Sequence, residues 1–124
     1  MRDLVTSPHV AYRDGLARGV LLFQRCDACS AAVFPPRVVC PSCGGADLST
    51  EQSAGLGEVY STTAVAAKDG EPYAVCLIDL DEGFRMMSTV TGVAAADVEI
   101  GSRVTLVVED GDPPRPTFVG GTGR

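Results

Sequence analysis

The chain has 124 residues, of which 45% are hydrophobic, and a formal net charge of −6. This length allows one sizeable hydrophobic core, or one small core beside a unit too small to fold unaided. Residues 1–50 carry five arginines against four aspartates, whereas residues 51–124 carry five basic against twelve acidic side chains. The acidity disfavours a partner bound through many phosphates, because such binding depends on Lys and Arg.

The sequence shows no signal for a membrane or a secretory pathway. No run approaches the roughly 20 apolar residues that a membrane-spanning helix needs. The apolar run Val20–Phe23 is too short and too late for a signal peptide, whose apolar part has about 7–15 residues. We therefore expect a soluble, cytoplasmic protein, and in a reducing compartment its five cysteines favour metal ligation over disulfides.

The N-terminal unit, residues 1–19, is predicted to be a loose tail followed by a short helix over residues 8–18. Ser7 can accept hydrogen bonds from the first free N–H groups of a helix. Pro8 suits the first helical position, where no N–H is needed, and Gly19 is a plausible end.

Residues 20–50 are predicted to form a rubredoxin-like zinc ribbon, because a strand-like apolar run leads into two C-x-x-C pairs. The pairs are Cys26 with Cys29 and Cys40 with Cys43, and ten residues separate them. Each pair can turn two sulfurs toward one cation, and ten residues suffice for a hairpin that places the pairs opposite each other. Four thiolates suit structural zinc, although iron fits the same ligands.

Other uses of these cysteines are less favoured by the pattern. Two local disulfides would each close a very small loop and stabilise little. A thioredoxin-like redox pair needs one C-x-x-C within a βαβ pattern, which this chain lacks. Four protein ligands leave no open position for water, so the site is predicted to be structural. A unit of about 30 residues buries little apolar surface, so we expect its folding to depend on the metal.

The segment between the two cysteine pairs contains Phe34-Pro35-Pro36-Arg37. In one interpretation the prolines stiffen the loop and Phe34 packs beneath it. In the other, this rigid loop presents Arg37, with Arg25 nearby, to an anionic ligand or a partner subunit, since a guanidinium binds phosphate through two parallel hydrogen bonds. Both interpretations stay open at this point.

Residues 51–124 are predicted to form a five-stranded OB-fold barrel, since short β-prone runs alternate with turn residues. The predicted strands are Glu58–Ala67, Tyr73–Leu80, Phe84–Thr91, Arg103–Glu109 and Thr117–Val119. Turns at residues 69–72 and 81–83 join the first three strands into a meander. The connector 92–101 has room for one helical turn. The fold class is thus mainly β, with one short helix.

The sequence shows no catalytic motif, such as a phosphate-binding glycine loop, a nucleophile elbow or H-E-x-x-H. Cys76 lies in the middle of a predicted strand and is expected to be a buried core side chain. His9, the only histidine, is expected at the surface. The acidic residues Asp79, Asp81 and Glu82 fit a solvated hairpin turn. We therefore predict no catalytic residues.

Several motifs, in this order along residues 8–119, resemble the DUF35 family of zinc-ribbon plus OB-fold proteins. They are Gln24-Arg25-Cys26-x-x-Cys29, Phe34-Pro35-Pro36-Arg37, Cys40-Pro41-x-Cys43-Gly44, Gly57-x-Val59-Tyr60-Ser61-x-Thr63, Asp79-Leu80-Asp81-Glu82-Gly83-x-Arg85 and Ile100-Gly101. The chain departs from the family pattern at Pro8–Tyr12, where an aromatic start of the helix is frequent, and at Ser30, where glycine is common. A non-glycine residue at position 30 would cost stability if φ is positive there.

The resemblance implies a non-catalytic accessory subunit of a thiolase-type acyl-CoA enzyme complex. Such a complex would be a thiolase, synthase or retro-aldolase of lipid or steroid side-chain metabolism. The chemistry would then lie in a thiolase-like catalytic subunit, on which ribbon and barrel dock to help form the acyl-CoA site. Arg25 and Arg37 are the candidates for contacts with the CoA phosphates.

Two alternatives come from other classes of function. Zinc ribbons and OB barrels both commonly bind single-stranded nucleic acid, but the acidic barrel half opposes that function. An enzyme acting alone would have to turn over an acyl-CoA substrate without a partner, and we expect no such turnover.

Overall fold

The computed structural model describes residues 8–111 and 114–120, so the predicted tail before residue 8 lies outside the described residues. The described elements are helix α1 Pro8–Ala17, a 3-10 turn Ala95–Asp97, and strands β1 Leu22–Cys26, β2 Ala32–Val33, β3 Leu48–Gln52, β4 Leu56–Val65, β5 Tyr73–Leu80, β6 Arg85–Ser88, β7 Val90–Thr91, β8 Arg103–Glu109 and β9 Arg115–Gly120. The mainly β fold class with one short N-terminal helix is confirmed. No helix in this part of the chain is long and apolar enough to cross a bilayer.

Helix α1 ends where the sequence predicts, at a glycine. Gly19 has a φ of +81°, which costs glycine little. Its N–H donates to the Leu16 carbonyl at 2.9 Å, and the Val20 N–H donates to the Gly15 carbonyl at 2.9 Å. These two bonds form a Schellman motif, which satisfies the last carbonyls of the helix and sends the chain into β1.

The ribbon contains an antiparallel three-stranded sheet in the order β2-β1-β3. In its register Gln24 lies opposite Val33 and Thr50, so the central strand β1 is paired on both edges. Strand β3 runs across residue 50, which the sequence pattern suggested as the end of the ribbon. The sheet of the ribbon therefore extends to Gln52.

The second sheet has the order β6-β5-β4-β8-β9-β7 and forms the OB-fold barrel. The prediction of one continuous strand over Phe84–Thr91 is wrong. Strand β6 pairs antiparallel with β5, whereas β7 pairs in parallel with β9. The strand breaks at Thr89, whose carbonyl accepts the Phe118 N–H at 3.0 Å. Barrel closure requires this break, because one strand must leave its first neighbour to join another.

Of two other predicted strands, one is shifted along the sequence and one is longer in the structure. The first barrel strand, β4, starts at Leu56 and ends at Val65, two residues earlier at each end than expected. The closing strand β9 spans Arg115–Gly120 and is longer than the predicted Thr117–Val119. Its pairing with β8 along its whole length accounts for the extension.

The main hydrophobic core is shared between the barrel and the N-terminal part of the chain. One buried cluster contains Leu16 of α1, Leu21 just before β1 and Phe23 in β1. The same cluster contains barrel residues such as Phe84 and Phe118. A second, much smaller cluster is centred on Cys26, Val33 and Cys40. The ribbon thus rests on the barrel at its base, while its outer end depends on the cysteine site.

Candidate metal centre

The structure brings the four predicted ligands together. The sulfur atoms of Cys26, Cys29, Cys40 and Cys43 all lie within 4.8 Å of one another. The Sγ atoms of Cys26 and Cys43 are 3.6 Å apart, and those of Cys29 and Cys40 are 3.7 Å apart. A tetrahedral zinc ion with Zn–S bonds of about 2.3 Å separates its sulfurs by about 3.8 Å. The residues therefore fit one structural zinc ion.

The two C-x-x-C turns have the same backbone hydrogen bonds. The N–H of the residue after the second cysteine donates to the carbonyl of the first cysteine at 2.8 Å, from Ser30 to Cys26 and from Gly44 to Cys40. The N–H of each first cysteine donates to the carbonyl of the residue five positions later, from Cys26 to Ala31 at 2.9 Å and from Cys40 to Gly45 at 2.8 Å. The ribbon thus presents two equivalent turns to one cation.

Backbone N–H groups stabilise negative charge on the sulfurs. The Ser42 N–H points at Cys40 Sγ at 3.3 Å, and the Gly45 N–H points at Cys43 Sγ at 3.4 Å. The N–H of Cys43, followed by that of Ser42, lowers the pKa of Cys40 to about 7 against the opposing effect of desolvation. This arrangement prepares Cys40 to bind a metal as a thiolate.

The pKa of Cys29 is raised, in contrast to that of Cys40. At Cys29 the Ala31 N–H lowers the pKa, but desolvation and the other three thiols raise the pKa to about 12. Four thiolates this close together repel one another strongly, and a divalent cation removes that repulsion. The donor set therefore binds metal in exchange for protons, which is the behaviour of a structural zinc site.

Ser30 and Gly44 both have positive φ, at +67° and +78°. Within residues 8–111 and 114–120, Ser30 is the only residue other than glycine that has a positive φ. The substitution Ser30→Gly should therefore raise the free energy of unfolding by up to about 1 kcal/mol, because glycine carries no steric penalty at positive φ. Chemical denaturation of the metal-loaded protein measures the change.

Ser42→Gly is the matched control, since Ser42 is also exposed and lies in the other C-x-x-C turn without a positive φ. The control should lose about 0.5–1 kcal/mol through the added freedom of the unfolded chain. Equal destabilisation by both substitutions would contradict the conformational explanation.

The two candidate arginines lie on opposite sides of β1. Arg25 is in the strand, and its guanidinium donates to the Ser30 carbonyl at 3.2 Å and lies 3.6 Å from a carboxylate oxygen of Glu51. The side chain of the neighbouring Gln24 projects from the opposite face of β1, because side chains alternate along a strand. On that face its amide binds the backbone of Arg37. The structure therefore does not assemble Arg25 and Arg37 into one anion site.

Phe34 packs as one of the two interpretations of the loop predicts. Its ring lies 5.0 Å from that of Phe84, stacked, and 5.5 Å from that of Tyr12, edge to face. Arg37 itself is exposed. The loop thus combines a packed aromatic anchor with an exposed cation.

The role of Gln24 has no clear signal in the sequence. Its side chain is only 5% exposed, although it is polar. The Gln24 Nε2 group donates to the Arg37 carbonyl at 2.9 Å, and its Oε1 atom accepts the Arg37 N–H at 2.7 Å. The amide thereby imitates one rung of a β-ladder and fixes the loop to β1.

The other nucleophilic or basic side chains are placed as expected. Cys76 is 1% exposed in the barrel core, and its thiol donates to the Thr62 hydroxyl at 3.3 Å. His9 is exposed on α1, with its ring 6.5 Å from that of Tyr12. Asp79, near the end of β5, and Asp81, in the turn after it, form ion pairs with Arg85 and Arg103.

A four-cysteine ribbon joined to a barrel of the OB type defines the class of the chain as a zinc-ribbon plus OB-fold protein. Two family models match it, the ChsH2 rubredoxin-like zinc ribbon domain over residues 13–49 and the ChsH2 C-terminal OB-fold domain over residues 50–109. The chain belongs to the DUF35 family, of which ChsH2 is a member.

Two known relatives are similar to this chain over about three quarters of its length. A DUF35 domain-containing scaffold protein of Methanocaldococcus jannaschii is 36% identical over 105 residues, which cover 77% of this chain and 74% of the relative. A probable enoyl-CoA hydratase alpha subunit of Thermomonospora curvata is 38% identical over 97 residues. That match covers 75% of this chain, but the chain spans only 30% of the length of this relative.

Two solved structures resemble the chain. A chain of the structure described as Ltp2-ChsH2(DUF35) aldolase superimposes with a TM-score of 0.80 at 32% identity, covering 96% of this chain and 98% of the other. A DUF35-family protein of unknown function from Sulfolobus solfataricus has a TM-score of 0.65 at 17% identity, over 77% and 74% of the two chains. The second likeness concerns the fold alone.

Proposed function

We propose that this protein is an accessory subunit of an enzyme complex and that its catalytic partner carries the reacting groups. The observation that supports this most is the match over almost the whole length to the DUF35 chain of an Ltp2-ChsH2 aldolase structure. The metal centre agrees with this role, because four cysteine ligands leave no coordination position for substrate or water.

The partner is a thiolase-like subunit, and the complex makes or cleaves a C–C bond of an acyl-CoA compound. The matched structure is that of an aldolase, and the Thermomonospora relative is named as a subunit of an enoyl-CoA hydratase; together they support an acyl-CoA context. Lipid or steroid side-chain metabolism fits that substrate class. The ribbon and the barrel then dock on the partner beside its acyl-CoA site.

Contacts with the CoA phosphates would need donors from the partner in addition to Arg25 and Arg37. Arg25 is already engaged by Glu51 and by the Ser30 carbonyl. Arg37 is exposed, but a single guanidinium on the opposite face of β1 does not make a phosphate site by itself. The anion-binding hypothesis therefore rests on what the partner adds.

Co-expression with a thiolase-like protein from the same genome tests this function. The two chains should purify together at a fixed ratio, and the pair should act on acyl-CoA substrates faster than the partner alone. The purified chain by itself should show no turnover. If it neither binds the thiolase-like protein nor changes its activity, the proposal is wrong.

Binding of single-stranded oligonucleotides by the purified chain should be tested at low salt as a separate control. The acidic barrel half predicts no retention. Salt-dependent retention would instead favour a nucleic-acid-binding module.

A further inference from the structure

The loop that leads into the second C-x-x-C turn carries an exposed apolar and cationic segment. Val38 is 76% exposed, the largest exposed fraction among the large hydrophobic side chains of residues 8–111 and 114–120, and Val39 is 49% exposed. Arg37 precedes them and is also exposed. We call residues 37–39 the ribbon arm.

The ribbon arm is held at both ends. At its start the buried Gln24 side chain makes two hydrogen bonds to the backbone of Arg37, at 2.7 and 2.9 Å. At its end Val39 is followed directly by Cys40, a buried metal ligand. The arm therefore does not need to lose much conformational freedom when it binds, which favours affinity.

The guanidinium of Arg37 makes no ion pair within the described ranges. Arg25, Arg85, Arg103 and Arg115 each have a carboxylate partner, at distances up to 3.6 Å. Arg13 and Arg18, in and directly after α1, also lack a carboxylate partner among the described residues, but of these three arginines only Arg37 is followed directly by two exposed valines. Arginine is enriched among the residues that dominate the binding energy of protein interfaces, and exposed valines beside it add apolar area that a partner can bury.

The chemistry around Arg37 favours a protein surface over a phosphate. A phosphate is bound best by several donors that converge on it, and Arg25 starts from the other face of β1. The nearest neighbours of Arg37 in the sequence are instead two exposed valines and two prolines. Valine side chains are stabilised when an apolar pocket removes them from water, and a carboxylate at its rim would complement the guanidinium.

We propose that the ribbon arm is a docking element for the catalytic subunit. Val38 enters an apolar pocket of that subunit, and Arg37 pairs with a carboxylate at the rim of the pocket. Gln24 is the positioning residue that sets the arm for this contact. The inference rests on the proposed function, because it names the surface that the proposed complex uses.

The test measures the dissociation constant of the complex between this protein and the thiolase-like catalytic subunit. The wild-type protein is compared with the variants Arg37→Glu and Val38→Asp. Each substitution should weaken binding by about 30-fold or more, the size expected for a hot-spot residue. Higher salt should weaken the wild-type pair more than a pair with Arg37→Ala, which lacks the charge. One bound metal ion per chain in every variant shows that the ribbon is intact.

Lys68→Glu is the matched control, since it makes the same change of charge at an exposed residue. Lys68 lies in the loop before β5. The turn after β5 instead lies at the junction of ribbon and barrel, where the Ser53 hydroxyl, directly after β3, donates to Glu82 at 2.8 Å. The control should leave the dissociation constant unchanged. Gln24→Glu, which keeps an acceptor for the Arg37 N–H but loses the donor, should weaken binding while Arg37 is still present.

Four outcomes overturn the assignment. If Arg37→Glu and Val38→Asp bind the catalytic subunit as tightly as the wild type does, docking uses another surface and the accessory role stands. Absence of any wild-type complex contradicts the accessory role itself. If the chain alone binds CoA and Arg37→Ala abolishes that binding, the arm is a ligand site. If light scattering shows a homodimer that Arg37→Glu dissociates, its partner is a second copy.

Discussion

Replacement of Cys40 by serine is expected to abolish stoichiometric metal binding and to unfold the outer part of the ribbon. Cys40 is 1% exposed and lies in the small cluster that Cys26 and Val33 complete. With so few buried apolar side chains, this cluster depends on the metal, which contributes about 10–16 kcal/mol in small zinc modules. Metal analysis should give one ion per chain for the native protein and none for Cys40→Ser.

Cys76→Ser is the matched control, because Cys76 is also a cysteine with 1% exposure. It lies in the barrel, where its thiol contacts Thr62, and takes no part in the metal cluster. The control should lose some stability but keep its metal. Amide hydrogen exchange should show lost protection in β1 and β2 for Cys40→Ser only. A fully metal-loaded Cys40→Ser protein with a protected ribbon would contradict the four-ligand site.

Chelation of the native protein should have the same effect without a mutation. A strong chelator is expected to make four thiols reactive while Cys76 stays protected until the barrel unfolds. Elemental analysis of the extracted metal also distinguishes zinc from iron, since the sulfur geometry accommodates either.

The metal site could be predicted from the sequence because its information is local. Two C-x-x-C turns fix the ligands, and the ten residues between them allow the pairs to meet. The positive φ of Ser30 also follows from the equivalence of the two turns, since Gly44 holds the same place in the second one. The local geometry of the two turns was therefore sufficient to predict the site.

The relation between the two arginines could not be predicted in the same way. Arg25 and Arg37 are both close to metal ligands in the sequence, but a strand sends adjacent side chains to opposite faces. Which face holds the Arg37 loop is decided by the hydrogen bonds of Gln24. A glutamine in a strand has many possible partners, so this contact appears only in three dimensions.

Barrel closure is non-local for a related reason. The meander of β4, β5 and β6 follows from short turns between neighbouring runs. The parallel pairing of Val90 with Phe118 joins segments far apart in sequence, and β-propensity does not specify such a partner. The predicted single strand over Phe84–Thr91 failed at this point.

The substitution Phe84→Ala is expected to be the most damaging change outside the metal site. Phe84 is 5% exposed, and its ring stacks against Phe23 at 4.8 Å and Phe34 at 5.0 Å. Phe23 and Phe34 belong to the ribbon, whereas Phe84 belongs to the barrel, so the three rings join the two units. Loss of a buried phenylalanine costs about 3–5 kcal/mol. Urea denaturation should show this decrease in the free energy of unfolding.

Met87→Ala provides the comparison, because Met87 lies in the adjoining strand β6 but is 69% exposed. Its removal should change stability by no more than about 0.5 kcal/mol. Phe84→Ala should also release metal to a chelator faster than Met87→Ala does, since the base of the ribbon loses its support while all four cysteines remain. Equal stability and equal release rates in the two variants would mean that ribbon and barrel are held together by other contacts, such as those of Glu82 with Ser53 and Ala54 in the segment that joins β3 to β4.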